Sequence, residues 1–295
     1  MTREPAPRES VPRAGQGDRP DRAGPRKPAR RLPIRSRASG MAVTALCLSA
    51  LAALGMPLAE RYGPPSSTVA AVAETVADAG RFEVWFGGLP IGSLDFALSV
   101  DEQRYSAQAE ARPTRAIDTL FGARLAAEGE GLNDPALPRA TRFELATRFG
   151  GDRQNVSVTY SPPGRPQAVQ ASPEWKPRDW EIDPTAQRDV TDPIGAAALF
   201  LTPTPPAALC NGAVEVFDGR RRSRIELDEP SAREDGWRCE GRWMRVAGFR
   251  PRDLEKEPVE VSVDFAASPD GLARVMRLEA RTGYGLAVAT RVVAN

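Results

Sequence analysis

RFEVWFGGLPIGSLDFALSV, residues Arg81 to Val100, keeps a period of two on both sides of a glycine-rich break. Phe82, Val84 and Phe86 alternate with Glu83 and Trp85; after GGLPIG, Leu94, Phe96, Leu98 and Val100 alternate with Asp95, Ala97 and Ser99. Successive side chains of a strand point to opposite faces, so each half buries one face and wets the other, which predicts a β-hairpin. The glycines make a turn and not a phosphate cradle, since no helix follows them.

Working outward, the same alternation returns at Tyr105–Ala111, Phe143–Phe149, Val156–Tyr160, Val259–Phe265, Met276–Ala280 and Leu286–Val292. Turn chemistry separates the runs at Gly150-Gly151-Asp152, Pro162-Pro163-Gly164, Asp218-Gly219 and Pro269-Asp270-Gly271. Short strands joined in this way predict an all-β domain. Its sheet is antiparallel and curled, an open barrel or sandwich-like, because a long flat sheet would leave its edges exposed. One or two short helices are expected. The candidates are Thr114–Gly122 and Asp192–Leu201, the second opening with Asp at the N-cap and Pro at the first helical position. Ser161 to Pro193, rich in proline and acids, is expected to be one long irregular excursion.

The N-terminal quarter has a different character. Residues 1–40 are rich in Arg, Pro and Gly with no hydrophobic period, and are expected to be a disordered basic leader. Residues 41–59 are uncharged and follow Arg35 and Arg37, the pattern of a signal-peptide apolar region. Their length is near the lower limit for a bilayer span, so a membrane anchor is the alternative to a cleaved signal ending at Ala71-Val72-Ala73. The cleaved form is the preferred reading, and either form puts the C-terminal part in the periplasm. Residues 60–79 read as a linker and 80–295 as the periplasmic β domain.

Charge is unevenly distributed along the chain. Residues 1–73 carry 12 Lys and Arg against 5 Asp and Glu, whereas residues 74–295 carry 28 against 34, a balance of −6. An acidic domain argues against a nucleic-acid partner. The chain has no histidine, which removes Ser-His and Cys-His nucleophiles and ordinary zinc sites. Lys176 and Lys256, the only lysines after residue 73, sit near prolines. Nearly every acid falls on an expected wet face or in a loop, so no catalytic residue, metal site or cofactor is expected and the chain reads as a non-enzyme.

Two features of "CNGAVEVFDGRRRSRIEL", residues 210–227, invite a site reading. A two-residue loop at Asp218-Gly219 would set Phe217 opposite Arg220 and Glu215 opposite Arg222. Arg220, Arg222 and Arg224 would then share a solvated face with Glu215 and Glu226. The alternative is an anion or partner face. On the solvated reading, Arg222→Ala changes stability by less than about 1 kcal/mol, and the domain, with its balance of −6, is expected to bind anionic vesicles weakly. The second feature is parity: Trp237, Cys239 and Trp243 fall on one face, so Cys239 points inward like Cys210. Export permits oxidation, and these are the only thiols after residue 47. A Cys210–Cys239 disulfide is the expected pairing, with two buried free thiols as the alternative.

The succession FEVWFGGLPIGSLDF (82–96), IDTLF (117–121), DPIGAAALF (192–200), then a cysteine, VFDGRRR (216–222), a second cysteine and VAGFRP (246–251) resembles a bacterial exported-protein family, domain of unknown function 3108. The likeness spans roughly residues 80–255, and FDGRRR flanked by two cysteines is its most specific part. It implies a secreted, β-rich periplasmic domain and supplies no catalytic residues.

Two functions follow as expectations. The first is an exported envelope protein that binds a lipid or other apolar ligand in the concave face of its sheet, as curled sheets with apolar interiors do. The second is a structural or interaction protein of the envelope, meeting another envelope protein and holding no small molecule.

Overall fold

A computed structural model describes residues 76–134, 136–210 and 212–293; the expected leader, the apolar segment and most of the linker lie outside these residues. The chain forms fourteen strands: β1 (Val76–Phe86), β2 (Leu89–Val100), β3 (Arg104–Pro113), β4 (Arg124–Leu132), β5 (Arg139–Phe149), β6 (Asp152–Tyr160), β7 (Pro166–Ser172), β8 (Gly212–Phe217), β9 (Arg222–Leu227), β10 (Ser231–Arg233), β11 (Gly236–Ala247), β12 (Val259–Ala267), β13 (Ala273–Thr282) and β14 (Gly285–Arg291). Three α-helices interrupt them: α1 (Arg115–Phe121), α2 (Pro193–Leu201) and α3 (Pro251–Leu254). All strands belong to one open sheet, in the order β7-β6-β5-β4-β3-β2-β1-β14-β13-β12-β11-β9-β8, with β10 added to β11. Every strand pairing is antiparallel.

The opening stretch forms the β1–β2 hairpin, turning at Gly87 and Gly88, both at positive φ. β1 starts at Val76, so the domain begins four residues earlier than expected and takes in the end of the expected linker. The inward residues line up in rows across the sheet. Leu98, Ala107, Gly129, Phe143, Val158 and Val169 run from β2 to β7. Val84, Ala289, Leu278, Val263 and Cys239 run from β1 to β11. Strand β4, RLAAEGEGL, was not expected, since Ala, Gly and Glu have low strand propensity and Leu125 is the one large side chain among its inward positions. β7 also lies inside the stretch expected to be irregular; it is an edge strand that opens with proline, where a missing N–H costs no ladder bond.

The small inward residues of β3 and β4 make room for α2, which packs on both strands and also reaches β5, β8 and β13. One helix can touch such distant strands only because the sheet curls around it. Ile194, Ala198 and Leu201 join the main core, while Ala196, Leu199 and Phe200 meet Val214, Val216 and Ile225 of the terminal hairpin. α2 carries no charged or polar side chain, as a helix buried all round requires.

Antiparallel connections alternate between two rims of the curl. Gly87–Gly88, α1, Gly150–Gly151, the β8–β9 turn, the α3 segment and Gly283–Tyr284 share one rim, here the upper. Residues 101–103, 133–134, 136–138, 161–165, 228–235 and 268–272 share the lower.

Cys210 and Cys239 are disulfide-bonded, with Cα atoms 6.2 Å apart and Cys239 fully buried. The bond joins the start of β8 to β11, two strands away, so it ties the edge hairpin to the body of the sheet. Closing a loop of this length contributes about 3.5 kcal/mol in the chain-entropy model. Cys239→Ser should therefore lower unfolding stability by about 3 kcal/mol in urea titrations, and the denatured, unreduced parent should titrate no thiol at either position.

Candidate functional site

A polar group sits at the centre of the concave face: Asp192, the N-cap of α2. It is completely buried. Its Oδ1 accepts from the backbone N–H groups of Ile194 (2.7 Å) and Gly195 (3.0 Å), and its Oδ2 accepts from the Tyr105 hydroxyl (2.7 Å). A buried carboxylate needs such partners, and the helix N-terminus adds a favourable dipole. The approach depends on two glycines. A Cβ on Gly129 would lie 2.8 Å from Ile194 Cβ and 2.9 Å from Asp192 Oδ1; a Cβ on Gly195 would lie 2.7 Å from the Tyr105 hydroxyl.

Burial pushes the Asp192 carboxyl up to about 6, with its three hydrogen bonds pulling the other way. Burial, and then the charge of Asp192, drives the Tyr105 and Tyr160 hydroxyls upward in turn. Thr191 Oγ1 lies beside the Tyr105 hydroxyl, without a well-aligned bond to it, and the buried Tyr160 hydroxyl has no partner among the described residues. The cluster has hydroxyls and one carboxyl but no nucleophile–base pair, and it lies beneath a helix. Its chemistry is that of a structural anchor.

A strap, residues 173–190, runs from the end of β7 to Thr191. Thr191 then covers the outer edge of β8: its N–H donates to Glu215 O (2.9 Å) and its carbonyl accepts from Phe217 N–H (2.8 Å). The strap thus spans the gap between the two edge strands, with Trp175 and Ile182 packed on the core.

The three candidate arginines do not form a common solvated stripe. The β8–β9 register is Phe217 opposite Arg222 and Glu215 opposite Arg224, two residues from the expected pairing. The loop is four residues long because Asp218 Oδ1 accepts from the N–H groups of Arg220 (2.9 Å) and Arg221 (2.7 Å). Gly219 is pressed against Val156 and Val158, where a Cβ would approach to 3.0 Å. Arg220 leaves the hairpin: its guanidinium lies 5.0 Å from the Trp175 ring centroid, pairs with Glu181 and donates to the Lys176 carbonyl (3.2 Å). It latches the strap to the hairpin. Arg222 is half-buried, bonded to Glu215 (2.9 Å) and Gln187 (3.4 Å), and Arg224 pairs with Glu226 (2.7 Å) and Glu215 (3.5 Å). Each guanidinium already has a carboxylate.

A groove of about 350 Å³ lies on the convex face, lined by Ser99, Ser106, Gln108, Glu128, Glu130 and Arg142. Glu128 stands opposite Glu144 on β5. Burial, then a hydrogen bond and the charge of Glu144, raises the Glu128 carboxyl above the usual range. Arg142 is paired with Glu144, so one of the two adjacent acids is compensated by a guanidinium. Among the described residues no group of three His, Cys, Asp or Glu is placed to hold a metal ion, and no helix is long and apolar enough to cross a membrane.

No protein-family model matches the chain and no curated protein matches it. The resemblance to the exported family therefore rests on the quoted motifs alone.

Sequence reasoning missed Tyr105 and Asp192 as partners, since they are 87 residues apart; the Asp-Pro opening of α2 signalled only a cap. Two outcomes follow. An unfolded aspartate titrates near about 3.9, so between there and about 6 the folded chain holds more protons than the unfolded one. The stability linked to Asp192 is whole below the lower value and is lost as pH rises through the upper. Asp192→Asn, which keeps an oxygen acceptor for the helix N–H groups, should flatten the fall in urea midpoint from pH 4 to pH 7. Arg220→Ala should cost about 1–2 kcal/mol through the lost ring contact and half-buried ion pair and should speed proteolysis within the strap, whereas Arg224→Ala should do neither.

Proposed function

We propose that this chain is a non-catalytic, exported protein of the cell envelope, periplasmic in location, that acts as a structural and interaction domain. The observation that carries the reading is α2 in the concave face: a floor of small residues receives Ile194 and Ala198, Asp192 is bonded to Tyr105, and the far side of the helix is covered by Val214 and Val216. Where a ligand would sit, the chain supplies its own occupant, which leaves the surface to meet partners. Export is supported by Arg35 and Arg37 before the uncharged segment 41–59 and by a disulfide, a bond that persists in oxidising compartments.

The apolar-ligand reading is favoured by one observation. The walls around α2, including Phe143, Val158 and Val263, are aliphatic and aromatic, and an acyl chain could take the place of Ile194 and Leu201 if the helix and strap swung out. Native mass spectrometry of the full chain purified from an envelope fraction separates the two. The proposal expects the polypeptide mass alone or with a stoichiometric envelope protein. A bound apolar molecule of defined mass would overturn it in favour of the ligand reading.

A further inference from the structure

The acidic balance of the domain hides a polar arrangement of its two rims. The lower rim carries Asp101, Glu102, Asp228, Glu229, Glu234 and Asp235. On the upper rim, across β4, β5 and β6, Arg124 is directly opposite Arg148 and Arg148 directly opposite Arg153. Like charges facing one another across strands destabilise a sheet; Asp118 relieves Arg124 by an ion pair and acts on Arg148 only at longer range. Arg148 and Arg153 carry no ion pair among the described residues, and nothing in the fold calls for the row.

Exposed apolar side chains gather at the same rim. Seven of the ten exposed large hydrophobic residues described lie on it. Leu120 (72 % exposed) and Phe121 stand on α1, Phe149 ends β5, Leu89 begins β2 and Tyr284 lies on the β13–β14 turn. Phe121 and Phe149 stack on each other with ring centroids 5.4 Å apart, yet both remain exposed. The Phe121 carbonyl accepts from the Gly150 N–H, which fixes α1 against the β5–β6 turn just above the arginine row.

We propose that the upper rim docks on an anionic lipid surface, with Leu120, Phe121 and Phe149 entering the interface and Arg124, Arg148 and Arg153 meeting headgroup phosphates. Beyond the stacked Phe121–Phe149 pair, the exposed apolar side chains are spread along the rim at Leu89, Leu120 and Tyr284, a distribution that suits a fluid interface. A protein partner would more naturally bury one continuous patch. The cations sit one step back from the tips on the strands, the depth at which headgroup charge lies when the tips are inserted. The acidic lower rim is repelled by the same surface, so the charge distribution orients the approach. This site is distinct from Arg220, Arg222 and Arg224, whose guanidiniums are occupied, and it does not depend on what the concave face holds.

The test places an indole at a tip. The full chain carrying Leu120→Trp is mixed with vesicles of zwitterionic phospholipid alone or with anionic phospholipid added, and fluorescence is read against the parent chain. The introduced indole should shift to the blue and lose roughly half its emission to brominated acyl chains in the anionic vesicles only. Adding Arg148→Glu and Arg153→Glu should abolish the effect while leaving circular dichroism and the unfolding midpoint unchanged, and high salt should weaken it. Because the readout is local, attachment of the chain through residues before 76 does not imitate it. An indole that stays in water on anionic vesicles, that is quenched equally in zwitterionic ones, that is indifferent to the charge reversal, or that is buried only by a protein partner overturns the proposal.

Discussion

The fold depends on the seat of one short helix. α2 is nine residues long, too short to be stable in isolation, and it is uncharged throughout. It persists because the sheet has been shaped around it: Gly129 and Gly195 omit the atoms that would hold the helix off, and Asp192 satisfies its first N–H groups while taking the Tyr105 hydroxyl. Desolvating a carboxyl is costly, and the cost falls where three donors converge. The same helix gives an open sheet of fourteen strands a single interior, since its two sides are covered by strands far apart in the sheet order. Without it the concave face would be an exposed apolar trough.

Closing the curl without joining its edges creates a second requirement, met by the strap. An edge strand offers unpaired backbone groups to any other chain. Thr191 pairs with the edge of β8, the strap bridges toward β7, and Arg220 fastens the strap to the hairpin through Trp175 and Glu181. The disulfide then secures the base of that hairpin to β11. The arginine cluster and the cysteine pair thus belong to one device that holds the terminal hairpin in place.

Much of this was legible in the sequence, and the rest was hidden for identifiable reasons. The β1–β2 hairpin, both longer helices, the Asp192 cap and the cysteine pairing follow from period, capping chemistry and parity, all of which are local. β4 was illegible because its task is to be small: Ala127, Gly129 and Gly131 leave little hydrophobic signal, and their meaning appears only when Ile194 comes to rest on Gly129 and Tyr105 on Gly131. The β8–β9 register slipped by two residues because the Asp218 side chain builds a longer loop than an Asp-Gly pair suggests. The slip is even, so Arg222 and Arg224 kept their expected face; Arg220 alone departed, toward a strap 39 residues earlier in the chain. Rim polarity was the least visible feature. A balance of −6 says nothing of where charges stand, and the facing of Arg124, Arg148 and Arg153 exists only in the strand register.

α2 is a permanent part of the core and not a movable cover, a distinction that protection of individual amides resolves. Native-state hydrogen exchange of the α2 amides, Ile194 to Leu201, measured beside those of β3 and β4, is the most direct test. Exchange of both sets only through global unfolding, with one shared free energy and one shared denaturant dependence, is the expected result. If α2 exchanged through a low-energy opening while β3 and β4 stayed protected, the helix would be a lid, and the claim that the chain fills its own concave face would fail.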